Sequence, residues 1–265
     1  MKFRPAAAAA LALTTVVGLA AYLWPFFAAP SFSAGYGQNA PWLFAALLGL
    51  LAFVVLAEVT ANGLDAKTVA VLGVLAATGG ALRVLSAGTA GLEPIFVILV
   101  LGGRVLGRSM GFLMGCLAML AGAFLTAGIG PWLPFQMLGA GWVALGAALL
   151  PRASGKAELV LLAAYGAFAG FAYGALLNLW FWPFLSPGSA PTGAGFVPGD
   201  SPAANVAHYG VFYLATSLGW DVPRAVLTAA LVLVAGRPIL ATLRRAVRRA
   251  AFGDVARFDG PPVQS

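Results

Sequence analysis

Apolar residues run in long unbroken blocks, and the charged positions fall between them. The blocks lie at 5–28, 41–60, 67–86, 92–104, 109–128, 134–150, 158–184 and 222–241. A helix needs roughly 20 apolar residues to cross the hydrocarbon core of a bilayer. The eight blocks therefore predict eight membrane-spanning helices, with 92–104 the shortest. Glycine and proline interrupt several of them, which helices in lipid tolerate better than helices in water. The run LFAALLGLLAFVVLA at 43–57 excludes a transmembrane barrel, whose strands alternate apolar and polar residues.

Composition supports the pattern. Only 9 % of residues are charged and 61 % are hydrophobic, too few charges to cover the exterior of a soluble domain, which carries roughly 25 %. The net charge of +7 then reads as an orientation signal at helix ends, not as a nucleic-acid surface. With the N-terminus in the cytoplasm and eight alternating spans, all of the 15 bases except Arg83 and Arg224 fall on the cytoplasmic side. Both termini are therefore expected in the cytoplasm of a multi-pass protein of the cell membrane. Dropping the 92–104 segment would invert everything after it. Residues 1–28 carry Lys2 and Arg4 ahead of an apolar run that is long for a cleaved signal, and read as a retained helix.

The stretch 203–220 is apolar too, but a span there would carry the arginine-rich tail outside. It is expected as a short helix or re-entrant segment on the outer side, after the turn-rich SPGSAPTGAGFVPGDSP at 186–202. Asp221 is a suitable cap for the last span, and Pro223 is tolerated in its first turn. Asp221 and Arg224 read as a helix-start pair. At 240–251, Arg244, Arg245, Arg248 and Arg249 share one face opposite Leu240, Leu243, Val247 and Ala251. That face suits an anionic lipid surface or a partner.

Catalytic constellations are missing from the sequence. Gly155-Lys156 is followed by alanine and lacks the upstream glycine of a P-loop, and neither GxSxG nor HExxH occurs. The single cysteine, Cys116, and the single histidine, His208, exclude a disulfide, a cysteine cluster and a histidine-only metal site. No catalytic residue, metal or cofactor is expected. Glu58 reads as an interfacial carboxylate near the inner end of its span.

Polar and aromatic residues gather instead toward the outer end: Trp132, Trp142, Trp180, Trp182 and Trp220, with Arg83, Glu93, Gln136, Asn178, His208, Tyr209 and Tyr213. Interfacial aromatics form lipid belts. Stacking surfaces with a few fixed polar groups also make a pocket for a flat organic ligand. On the helix at 67–86, Ala70, Gly73, Ala77 and Ala81 form a row of small residues, with a shorter row at Ala76 and Gly80. Such rows allow close helix approach, inside the chain or to a partner.

Glu93-Pro94, Gly103-Arg104 to Gly107, Gly111-Phe112 to Gly115, and Gly130-Pro131-Trp132-Leu133-Pro134-Phe135-Gln136 lie within 91–151. They are followed by Asn178-Leu179-Trp180-Phe181-Trp182-Pro183 and Trp220-Asp221-Val222-Pro223-Arg224-Ala225. In combination they resemble the substrate-specific (S) component of energy-coupling factor vitamin transporters, in an actinobacterial-type branch, over about residues 67–250. The resemblance implies a six-helix substrate-binding core at 67–250, two additional helices within 1–60 and a cytoplasmic tail at 251–265. It implies a subunit that binds a vitamin or related micronutrient, a corrinoid such as cobalamin or a riboflavin-like molecule, from outside. A separate transmembrane coupling protein and two ATP-binding cassette ATPases would drive uptake. Ala70, Gly73, Ala77 and Ala81 would face the coupling protein.

The candidate ligand contacts are Glu93, Trp132, Gln136, Trp142, Asn178, Trp182, His208 and Tyr213. Gln136 and Asn178 would orient polar edges while the tryptophans stack. Arg83 would pair with Glu93 or meet an anionic group on the ligand. Loops 87–92, 129–133 and 185–221 would cap the site. The competing readings are an autonomous secondary transporter, which should show matched halves and mid-membrane charge, and a membrane enzyme or assembly factor, which should show a catalytic cluster.

Overall fold

A computed structural model describes residues 5–29, 46, 49, 53, 66–86, 89–185 and 188–251. The expected 41–60 span, apart from helical positions 46, 49 and 53, lies outside the described residues. So do Lys2, Arg4, Glu58, Arg257, residues 87–88 of the outer loop and the tail beyond 251.

The described residues form eight α-helices and two short 3-10 turns, with no strand among them. The helices are α1 (Pro5–Leu23), α2 (Ala66–Val84), α3 (Ile95–Leu106), α4 (Arg108–Leu125), α5 (Leu133–Leu149), α6 (Gly155–Phe181), α7 (Pro202–Thr216) and α8 (Leu218–Ala251). The 3-10 turns, Trp24–Phe27 and Trp182–Phe184, follow α1 and α6. Each contains a proline near its start, which removes a helical hydrogen bond and ends the preceding helix. Five segments are long and apolar enough to cross a membrane: Ala8–Phe27, Lys67–Val84, Arg108–Leu125, Gly155–Phe184 and Leu218–Arg249. Ile95–Leu106 and Leu133–Leu149, expected as spans, are shorter apolar helices.

The short α3 is the centre of the bundle. Every residue from Ile95 to Gly103 is buried, as a helix that is apolar all round requires. It touches α2, α4, α5, α6 and α8. Gly107 (φ 85°) turns the chain from α3 straight into α4, a backbone conformation that side chains with a Cβ resist. Backbones then approach closely. A Cβ on Gly103 would lie 2.2 Å from the Ala144 carbonyl oxygen, and one on Gly115 would lie 2.5 Å from that of Ala140. Both contacts bring α5 against its neighbours as tightly as small residues permit.

Of the stretch 203–220, residues 203–216 form most of α7 and 218–220 open α8. The first turn of α7 is capped by Ser201, its Oγ accepting from the Ala204 amide at 3.2 Å. Only Asn205 and Phe212 of this helix are buried. The last helix differs from expectation at both ends. It begins at Leu218, so Asp221 lies in its first turn and not at its cap. It also continues without a break into the arginine-rich segment, and its 34 residues extend about 50 Å, well beyond the roughly 30 Å of a hydrocarbon core.

That extension is tied down at one end of the bundle. Glu158, buried at the start of α6, accepts from Arg104 Nε at 3.0 Å and from Arg244 Nη2 at 2.6 Å. Arg104 also donates to the carbonyls of Leu150 and Pro151, each at 2.8 Å. Arg244, expected on a free basic face, is thus clasped to the bundle.

Candidate functional site

At the opposite end, α2 and α6 finish while α3, α5 and α8 begin, and their ends enclose a cavity of about 600 Å³. Its charged residues are Arg83, Glu93 and Arg224, and its neutral polar residues are Ser86, Thr126, Gln136 and Asn178. Trp132, Tyr173, Trp180 and Phe181 supply aromatic surface. A smaller cavity of about 280 Å³ adjoins it, sharing Leu177, Asn178, Phe181 and Arg224 and reaching Asp221.

The charges have distinct partners. Arg224, 6 % exposed, donates through Nη2 to Glu93 Oε1 at 2.7 Å and through Nη1 to Asp221 Oδ1. Its guanidinium also lies 5.4 Å from the ring centroids of both Phe96 and Tyr173. Asp221 accepts a second bond, 2.8 Å, from the Tyr213 hydroxyl. Burial, with Asp221 beside it, pushes that hydroxyl well above its ordinary range, so Tyr213 stays a donor at neutral pH. Gly174 makes room for the carboxylate, since a Cβ there would lie 2.0 Å from Asp221 Oδ1. Arg83 faces the other side. Its Nη2 donates to Gln136 Oε1 at 2.7 Å and its Nη1 to the Met119 carbonyl at 3.2 Å.

The aromatic wall continues outward from the cavity into α1. Trp180 is stacked on Phe135 at 5.8 Å and sits 6.3 Å from Trp132. Phe135 meets Tyr22 edge-on at 5.0 Å, and the buried Tyr22 hydroxyl donates to the Phe135 carbonyl at 2.7 Å. The N-terminal helix therefore buttresses the wall.

Of the expected ligand contacts, Glu93, Trp132, Gln136 and Asn178 line the large cavity together. Asn178 donates to Ser217 Oγ at the corner between α7 and α8. The other four lie elsewhere. Trp142 packs on α1, beside Tyr22 and Gly18, and donates to Thr15 Oγ1 at 3.3 Å. Trp182 is 1 % exposed, donates to the Ala194 carbonyl at 2.7 Å and packs on Phe26, Phe196 and Tyr209. Its place in the 3-10 turn directs it away from the cavity that Trp180 lines. Tyr213 acts through Asp221, behind the wall. His208 sits half-buried on α7, its Nδ1 without a hydrogen-bond partner among the described residues. Glu93 pairs with Arg224 and not with Arg83. The Asp221–Arg224 half of this ion group is the helix-start pair expected from the sequence, whereas the reach of Arg224 to Glu93 is signalled only by a charge near the start of each of two apolar blocks, a pattern that marks functional positions in membrane helices.

On α2 the two small-residue rows separate. Ala76 and Gly80 are buried against α4, where a Cβ on Gly80 would lie 2.9 Å from Ala121 Cβ. Ala70, Gly73, Ala77 and Ala81 are all exposed. No group of three or more metal-ligating side chains gathers among the described residues. Set against known protein families, curated proteins and solved structures, the chain matches none of them.

Proposed function

We propose that this chain is the solute-binding subunit of an energy-coupling-factor-type importer in the cell membrane, with both termini in the cytoplasm. The observation that carries the reading is the cavity at one end of the bundle, where aromatic faces and fixed polar groups converge. A volume of about 600 Å³ falls within the roughly 300–1,000 Å³ of pockets that hold drug-sized ligands. It favours a flat vitamin of riboflavin-like size over a corrinoid, with its macrocycle and nucleotide arm.

Two further features support the reading. Arg83 and Arg224, the bases assigned to the outer face, meet at the cavity end, while Arg104 and Arg244 meet at the other. The exposed row Ala70, Gly73, Ala77 and Ala81 is a smooth helix face of the kind a membrane partner packs against. The sequence has no P-loop, so energy would come from the two ATPases through the coupling protein.

The Glu93–Arg224–Asp221 group favours one second reading, an autonomous secondary transporter, because buried charge in a membrane helix marks solute and proton paths. Calorimetric titration of the purified chain with riboflavin, cobalamin and other vitamins tests the proposal. One vitamin should bind tightly, one to one, without ATPases present. A well-folded sample that binds none overturns the reading. Accumulation of solute by the chain alone in liposomes, driven by an ion gradient, would replace it with the second.

A further inference from the structure

We infer that the solute is a monoanion, a carboxylate carried on a flat ring system, and that Arg83 receives the carboxylate. The inference rests on the reading of the cavity as the solute site. Four acids are described: Glu93, Glu158, Asp200 and Asp221. Glu93 and Asp221 are both engaged by Arg224, Glu158 lies at the opposite end with Arg104 and Arg244, and Asp200 accepts from the Ser201 amide. Arg83 therefore lines the cavity as a half-buried cation with no carboxylate partner among the described residues. A desolvated cation is costly without a counter-charge.

The surroundings hold Arg83 in place for one. Its stem lies across Gly122, where a Cβ would fall 2.6 Å from Arg83 Cδ. Nη2 donates to Gln136 Oε1, and Nη1 donates to the Met119 carbonyl and, at 2.7 Å, to Met119 Sδ. A guanidinium has five donors in a planar fork, so two remain for a ligand. Arg224, the other cation of the cavity, is already held between two carboxylates, so Arg83 is the cation left for a ligand. One guanidinium matches one carboxylate, whereas a doubly charged phosphate would stand beside the net negative charge of the Glu93–Arg224–Asp221 group. Trp132 and Trp180, near Arg83's partner Gln136, offer faces for the ring that bears it.

Matched probes test this without knowing the natural ligand. The full-length chain in detergent is titrated with 2-naphthoate and with 2-naphthamide, which share a ring and differ in charge. Naphthoate should bind about tenfold tighter, the worth of one charge-assisted hydrogen bond. Arg83→Gln should bind both probes equally, at the affinity of the amide, and Arg83→Lys should retain the preference. Equal binding by the unmodified chain, or a preference that survives in Arg83→Gln, overturns the inference and leaves the cavity reading standing. Failure of both probes to bind a folded sample overturns the cavity reading itself.

Discussion

Arg224 of α8 reaches Glu93, 131 positions earlier in the chain, and closes a 2.7 Å ion pair over the base of the cavity. With Asp221 on its other side, one buried cation holds two carboxylates together. Removing a single partner of a buried pair costs about 3–5 kcal/mol, because a charge is left uncompensated. Arg224→Met leaves two carboxylates facing each other and should be the most damaging change at this end. Glu93→Gln retains an acceptor for Arg224 and should cost less. The single, buried Cys116 supplies the measurement: labelling by a fluorogenic maleimide during heating reports when the core opens. Equal midpoints for the two variants would refute this ordering.

Tyr22 links the N-terminal helix to the cavity wall. Tyr22→Phe removes the hydroxyl that bonds the Phe135 carbonyl while retaining the ring contact. The lost bond is worth about 1 kcal/mol, so the fold should survive. Phe135 is stacked on Trp180, which lines the cavity. Solute affinity should therefore fall severalfold in Tyr22→Phe and stay unchanged in Thr78→Val, a change on the exposed side of α2. Unchanged affinity in Tyr22→Phe would detach α1 from the site.

The bundle was legible in the sequence because long apolar blocks leave a chain few options but helices. The sorting of charges was legible as well: Arg83 and Arg224 stand apart from the other bases by alternation, and they meet at one end. Side-chain partners were less so. Helical spacing fixes which residues share a face, not which distant helix that face meets, so the sequence offers Glu93 only the nearer Arg83, as one of two alternatives for that arginine, and does not show its pairing with Arg224. Trp142 shows the limit on one helix. It lies six positions after Gln136, about 240° around the helix, and so meets α1 while Gln136 meets the cavity. The continuity of the 34-residue α8 is not legible because its earlier part is mostly apolar and its C-terminal end charged, which reads as a span followed by a separate tail.

Glu158 is the knot at the end of the bundle opposite the cavity. It is 3 % exposed and accepts from arginines on two other helices. Glu158→Ala should lower stability by about 3–5 kcal/mol, since Arg104 is then buried with carbonyl acceptors alone. Arg244 has a side chain 43 % exposed, so Arg244→Ala should cost about 1 kcal/mol or less. It should also release the end of α8, which paired spin labels on Val247, three residues beyond Arg244, and on Lys156 would read as a broader distance distribution. An unchanged distribution would mean that helix packing alone holds the extension.

Two glycines separate packing within the chain from packing against a partner. A Cβ on Gly103 would meet the Ala144 backbone oxygen at 2.2 Å, and backbone cannot swing aside as a side chain can. Gly103→Ala should therefore cost at least the roughly 1–3 kcal/mol of an overpacked core and separate α3 from α5. A Cβ on Gly73 would meet nothing within 4 Å. Alanine also favours a helix interior over glycine by roughly 0.5–1 kcal/mol, so Gly73→Ala should leave the unfolding midpoint of the isolated chain unchanged or slightly raised. Gly73→Leu, which adds bulk to the same exposed row, should likewise spare the fold and the solute affinity of the isolated chain. On the proposed function it should block assembly with the coupling protein, measured by co-purification from membranes that contain all subunits. A Gly73→Leu chain that assembles and transports as well as the unmodified one would show that this face meets only lipid.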